Sequence, residues 1–245
     1  ANLGRAPRFY LEGPLAADVE VELDADRAHQ LRHVLRLAPG ATVRLFNADC
    51  GEWWARLTRL DRRGGGARIV ERLRPPEPVT GPRLAIAPIR ANRLDWLVEK
   101  AVELGVGTIE LVLTRRTVVR LTRSDRLRAV AVEAAEQCGR LSVPRIGGPI
   151  DLEAWLEGLA PGTGVVMADE QGGEPVLATL RQAPDATLLV GPEGGFAPDE
   201  RRRLAERPGI FRVGLGPRIL RSETAALFLL VAHELALAEV RPSRP

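Results

Sequence analysis

Two cysteines, three histidines, one methionine and a single lysine, Lys100, are all that 245 residues hold of those side chains. Cys50 and Cys138 form no CxxC pair, and His29, His33 and His233 lack the spacing of a zinc site, so neither a metal centre nor a disulfide framework is expected. Cys138 falls on the apolar stripe of a predicted helix, where a small buried hydrophobe is the expected role. No uninterrupted apolar run approaches the roughly 20 residues of a membrane helix, which excludes that class of protein. The opening stretch ANLGRAPRFYLEG has no signal-peptide core, and the cytoplasm is the expected location. Arginine takes nearly every basic position; GC-rich coding and thermophily would both produce that bias.

What remains is ordinary for a globular chain: 45% hydrophobic and 27% charged residues, enough for a substantial core and for two domains. The net charge of +3 is small but unevenly spread. Up to Arg74 there are 13 basic and 10 acidic residues, and 22 of each thereafter. The excess points weakly to nucleic acid in the first segment.

From Arg8 to Arg74 the patterns ATVRLF, EWWARLTRL and ARIVERL read as short strands, with turn signals at Asn47 to Gly51 and Asp61 to Gly66. A helix is expected from about Asp24, as its cap, to Leu37, with Leu31, Val34, Leu35 and Ala38 on one face and Arg32 and Arg36 on another. The segment, residues 1–72, reads as a small β-barrel whose arginines suit a phosphate backbone. Leu73 to Pro82, LRPPEPVTGP, is too proline-rich for helix or central strand and reads as a linker.

Over residues 83–245 the pattern changes to strands LAIAPI, IELVL, VVMA, TLLV and FRVGL alternating with helices that start near Asn92, Ser124, Asp151, Pro198 and Ser222. That is an α/β domain with a mostly parallel sheet. In the helix from Asn92 the residues Leu94, Leu97, Val98, Ala101 and Leu104 share a face, with Gly105 as the C-terminal cap. Between two helices Arg115, Arg116, Arg120, Arg123 and Arg126 gather, and Arg115 and Arg116 follow a strand at its carboxyl end, where RNA phosphates are the expected partners. The closing helix, Glu223 to Val240, is apolar nearly all round and requires burial on most sides, either by the chain itself or by a second subunit.

The chemistry is expected at two turns in LLVGPEGGFAPDERRRLAERPGIFRVGLGPRILRSETAALFLL. Gly191, Pro192, Glu193, Gly194 and Gly195 leave the main chain open to a ligand. They form neither a P-loop nor GxGxxG, and a central carboxylate argues against phosphate; a plain strand-to-helix turn with Pro198 at the first helical position reads the same residues. In the second turn Arg221 precedes Ser222, expected as the N-cap of the closing helix with Glu223 in its first turn. A cation at a helix start is unfavourable, so an anionic partner is expected: a substrate, or Glu193 or Glu223.

GPEGGF followed by LGPRILRSETA, together with RLDWLVEKAVELGV, EAAEQCGRLSVPRI and a weaker HQLRHVLRLAPG, resembles the bacterial enzymes that methylate N3 of a uridine in small-subunit (16S) ribosomal RNA. These belong to the SPOUT class of knotted, S-adenosylmethionine-dependent methyltransferases, and the likeness spans nearly the whole chain. The resemblance implies a PUA-like RNA-binding domain, then an α/β trefoil-knot domain that dimerises, with the small ribosomal subunit or its RNA as partner. It implies that loops near Ala168, at Gly191 to Gly195 and at Leu215, Gly216, Ile219, Leu220 and Thr224 hold the cofactor, without metal, and that Arg32, Arg36, Arg115, Arg116 and Arg140 meet RNA. Arg221 is the candidate for stabilising charge on the uracil ring. The proton acceptor stays open between Glu193, Glu223 and solvent, since an arginine beside a carboxylate favours its ionised form and weakens it as a base. A non-catalytic RNA-binding assembly protein and a ribose 2′-O-methyltransferase are the competing readings.

Overall fold

The computed structural model describes residues 6–119 and 123–238; Arg120 of the arginine run and Val240 of the closing helix lie outside the described residues. The chain divides into two compact units, Ala1–Val79 with Ala135–Val143, and Thr80–Ala134 with Pro144–Pro245.

In the first unit β1 (Arg8–Tyr10), β2 (Glu20–Leu23), β3 (Thr42–Asn47), β4 (Gly51–Leu60) and β5 (Gly65–Arg74) form one sheet in the order β1-β3-β4-β5-β2. The β1–β3 pair is parallel and the others antiparallel. The three strand patterns of the sequence are β3, β4 and β5. Their tight connection is built by Asn47, whose amide donates to the carbonyls of Leu11 and Gly13 and whose oxygen accepts from Cys50 N at 2.7 Å. Alternate residues, among them Val43, Leu45, Leu57 and Ile69, meet Phe9 and Leu31 in the core, as period-2 burial requires.

Asp24 does cap α1 (Ala25–His29), its carboxylate accepting from Arg27 N at 2.7 Å. The expected inward face does not hold beyond Leu31. From Gln30 to Val34 the chain widens into a π-helix, Leu35 N bonding back to Gln30 O. The wider turn changes the angular step per residue, so the apolar positions lose phase: Leu31 is buried while Val34 is 68% exposed and Leu35 is exposed as well.

The second unit alternates strand and helix: β6 (Arg83–Ile86), α2 (Ala91–Glu103), β7 (Thr108–Leu113), α3 (Ser124–Cys138), β8 (Arg145–Asp151), α4 (Leu152–Glu157), β9 (Val165–Ala168), β10 (Glu174–Pro175), α5 (Val176–Gln182), β11 (Thr187–Val190), α6 (Pro198–Glu206), β12 (Ile210–Gly214) and α7 (Ser222–Ala238). The sheet order is β10-β12-β9-β11-β6-β7-β8 and every pair is parallel. Strands covered on both faces need continuous apolar runs, and β11 is buried at all four positions. The five expected strands and the five expected helix starts are present; β8, β10 and α5 are additions.

On α2 the buried residues are Leu94, Leu97, Val98, Ala101 and Val102; Leu104 is the C-cap and only half-buried, because the helix has ended, and Gly105 takes the positive φ of 82° beyond it. Cys138 is exposed, against expectation. It is the last residue of α3, beyond the buried positions Leu127, Ala131, Ala134 and Ala135, and the last turn of that helix belongs with the first unit. In the first unit that turn is gripped by Arg8. The guanidinium donates to the carbonyls of Ala135, Glu136 and Arg140, each at 3.0 Å, and pairs with the buried Glu52 at 2.7 Å. A cation against the free carbonyls of a helix C-terminus is electrostatically favourable.

The closing helix is less covered than its composition demands. Ala225, Ala226, Leu229, Leu230, Ala232 and Ala236 are buried, yet Phe228, Val231 and Leu235 are exposed, Leu235 to 54%. Among the described residues no helix is long and apolar enough to cross a membrane, and no group of three or more metal-ligating side chains gathers.

Candidate active site

β12, β9 and β11 are consecutive neighbours in the sheet, so the loops leaving their carboxyl ends emerge side by side. The chain steps outward from β6 to β7 and β8, then crosses to β9 and inserts β11 between β9 and β6. Such a reversal opens a crevice where parallel α/β sheets bind ligands.

The loop after β11 is held at several points. Gly195 N bonds to Pro192 O at 2.8 Å and Gly195 takes a φ of 66°, the left-handed region that favours glycine. A Cβ on Gly191 would sit 2.9 Å from the Phe196 ring, so the close packing of that ring requires glycine. Pro198 is at the first position of α6, and Glu200 reaches back to accept from Ala197 N at 2.8 Å. The other oxygen of Glu200 accepts from Arg115 N, and Arg116 donates to Gly194 O at 2.7 Å. Arg115 also pairs with Asp199 at 2.8 Å. Both arginines thus have partners within this unit; the two side chains themselves remain exposed.

The loop after β12 turns at Gly216, φ 100°, and leaves Ile219 largely exposed at the rim. It runs into α7, where Ser222 departs from the expected cap. Ala225 N bonds to Arg221 O, which puts Arg221 at the cap position, and the buried Ser222 hydroxyl donates instead to Gly191 O at 2.9 Å. That bond ties the two turns together.

The loop after β9 brings the carboxylates of Asp169 and Glu170. Asp169 is fully buried and accepts from Arg201, Arg212 and Gln171 N at 2.8, 2.8 and 2.9 Å. Glu170 pairs with the other nitrogen of Arg201 at 2.6 Å and lies against Gly195. Neither carboxylate was singled out in the sequence, although both directly follow the VVMA strand, where a polar pair at a carboxyl end is a readable signal.

Together the three loops enclose a cleft of about 220 Å³. Ala168, Gly191, Pro192, Glu193, Gly194, Gly195, Leu215, Gly216, Ile219 and Leu220 line it, with Asp169, Glu170, Phe196, Arg218 and Ser222 added. Thr224 does not. It lines a second cavity with Arg221, Glu223, Asn92, Arg93 and Trp96. Of the three candidate catalytic groups, Glu193 is exposed in the first cleft, whereas Arg221 and Glu223 belong to the second cavity. Arg221 is exposed and joins neither Glu193 nor Glu223 in an ion pair among the described residues; Glu223 pairs with Arg93 at 3.5 Å.

Arg32, Arg36 and Arg140 lie in the first unit. Arg36 is exposed and Arg32 half-buried. Arg140 donates to the Ser142 hydroxyl at 3.0 Å, and burial pushes its guanidinium below the usual arginine range.

Residues 76–234 match the family model of the RNA methyltransferase domain. Ribosomal RNA small subunit methyltransferase E of Rickettsia conorii is 32% identical over 240 residues, covering 96% of this chain and 94% of that protein. The protein of the same name from Mycobacterium bovis is 31% identical, covering 91% and 89%. A crystal structure of ribosomal RNA small subunit methyltransferase E from Neisseria gonorrhoeae, bound to S-adenosyl methionine, superposes with a TM-score of 0.84 at 31% identity, over 94% of this chain and 98% of that one. A parallel sheet with a glycine-turned cleft at adjacent strand ends and these full-length similarities agree, and the chain belongs to the ribosomal RNA small subunit methyltransferase E family.

Proposed function

We propose that the protein transfers a methyl group from S-adenosylmethionine to N3 of a uridine in 16S ribosomal RNA. The observation that carries this reading is the cleft formed by the three strand-end loops in a chain of this family. The cleft suits such a cofactor: glycines line its walls, and the space beside Gly216 is open, with nothing within 4 Å of where a Cβ would stand. Leu215, Ile219 and Leu220 supply apolar surface for the adenine, Ala168 and the Gly191–Gly195 turn the polar contacts, and Thr224 acts only from the neighbouring cavity. When bound, the cofactor supplies an electrophilic methyl on a sulfonium.

Uracil must lose its imide proton for N3 to accept that methyl, and the charge spreads over O2 and O4. In this reading Arg221, unpaired within the described residues, offsets that charge. Glu193, Glu223 or solvent takes the proton, and Glu223 pairs with Arg93 at 3.5 Å. Arg32, Arg36 and Arg140 in a PUA-like first unit, and Arg115 and Arg116 in the second, meet the RNA, while Arg115 and Arg116 also brace the cleft. The reading includes the trefoil knot of SPOUT enzymes and a cytoplasmic, ribosome-directed role.

Incubation with labelled S-adenosylmethionine and small-subunit RNA, followed by nucleoside digestion and mass spectrometry, is expected to yield 3-methyluridine. A 2′-O-methylated nucleoside or no methylated product overturns the reading.

The same reading makes the protein a homodimer. Phe228, Val231 and Leu235 follow one another at intervals of three and four on α7, an exposed apolar stripe suited to a two-fold contact. Sedimentation is expected to give about twice 26.7 kDa, and Leu235→Glu to give monomer. A parent protein that is fully active as a monomer removes the dimer from the proposal.

A further inference from the structure

Asn92, Arg93 and Trp96 from the first turns of α2 meet Arg221, Glu223 and Thr224 from the start of α7 around a cavity distinct from the glycine-turned cleft. The side chain of Glu223 is only 9% exposed. One of its oxygens receives Arg93 at the long distance of 3.5 Å, and the other, Oε2, is buried without a hydrogen-bond partner among the described residues. A buried acceptor left unmade is costly, which points to a donor that arrives from outside. Trp96 is 47% exposed at the same place, in a chain with 4% aromatic residues. An indole face beside guanidinium donors suits an aromatic ligand with hydrogen-bonding edges.

The chemistry of the lining narrows the ligand. It joins one carboxylate acceptor with the guanidinium donors of Arg93 and Arg221 and the amide of Asn92. The imide edge of uracil is the complement: an N–H between two carbonyl oxygens. Cytosine would set its unprotonated ring nitrogen against the carboxylate, and a uracil already methylated at N3 has no proton to give. Single-stranded RNA is read in this way, with a base stacked on an aromatic face and its Watson–Crick edge hydrogen-bonded.

We propose that this cavity binds a uracil base of the RNA, stacked on Trp96, with Glu223 accepting the N3 proton and arginine donors meeting the ring oxygens. It rests on the reading of the protein as a uridine-modifying enzyme, and it assigns that enzyme's base-recognition residues.

Affinities of the full-length protein for three short single-stranded RNAs test it: one carrying a central uridine, one cytidine there, one 3-methyluridine. Wild type is expected to bind the first most tightly. Trp96→Ala should weaken uridine RNA by about 5- to 100-fold, the size of one lost base–aromatic stack, while Trp96→Phe keeps most of the affinity. Glu223→Gln should erase the preference for uridine over cytidine. S-adenosylmethionine affinity, measured by calorimetry, should persist in Trp96→Ala, showing a folded protein. Equal wild-type affinity for uridine and 3-methyluridine RNA, or unchanged affinity in Trp96→Ala, overturns the proposal, as does a Trp96→Ala protein that loses its dimer but not its RNA. The nucleoside digest separates the two levels. Production of 3-methyluridine with no effect of Trp96→Ala sinks the cavity assignment alone, and a uridine preference without any methylated product sinks the enzymatic reading alone.

Discussion

Arg221→Ala is expected to slow single-turnover methyl transfer by about 10²- to 10³-fold, the usual loss for one donor that stabilises developing charge. The guanidinium stands at the cap position of α7, where the helix dipole repels it, and no carboxylate of the described residues pairs with it. Among the described residues it therefore has no ion-pair partner, and in the proposed reaction it meets the negative charge of a deprotonated uracil. Because its side chain lies outside the glycine-turned cleft, cofactor affinity should change little. Arg221→Lys should recover part of the rate, since an ammonium has the charge but not the planar fork. Rate constants are compared at saturating cofactor and RNA; a loss within about threefold, well short of a transition-state contact, would take Arg221 out of the chemistry.

Asp169→Ala should have the largest effect on stability. Its carboxylate has no exposure and binds two arginines and a backbone N–H. Breaking a buried pair from one side costs about 3–5 kcal/mol. Arg212 is 39% exposed and Arg201 keeps Glu170, so both cations find other partners and the low end, about 3 kcal/mol, is expected. For a chain of this size that lowers the melting temperature by about 6–12 °C. Cofactor affinity should fall with it, because Asp169 and Glu170 form one wall of the cleft. Thermal denaturation of Asp169→Ala and Asp169→Asn measures this. A shift below about 2 °C in the alanine variant, less than 1 kcal/mol, would show that the arginines contribute no net stability here.

The local patterns of the chain are sufficient for its alternating α/β order. TLLV and VVMA carry the continuous apolar runs of strands covered on both faces, and the α2 stripe from Leu94 to Ala101 carries a helical period. Local chemistry also marks the glycine turn and Pro198 at a helix start. These features depend on residues a few positions apart, so one sequence suffices to read them. Local deviations break these patterns: the π-helix after His29 carries Val34 and Leu35 to the surface, and Cys138 at the end of α3 is exposed.

Tertiary structure alone decided which distant groups meet. The insertion of β11 between β9 and β6 brings three strand ends together, and no periodicity encodes that order. The partnership of Asp169 with Arg201 and Arg212 joins residues 32 and 43 positions apart, and each side chain by itself reads as an ordinary surface charge. The neighbours of Ser222 fit a helix cap, yet its hydroxyl donates to Gly191 O, 31 residues earlier. The first turn of α7 shows most plainly why adjacency in sequence was not enough. A helix rotates about 100° per residue, so Ser222 and Ala225 line the cleft while Glu223 and Thr224 line the second cavity. A motif that reads as one site along the chain is thereby divided in space between two.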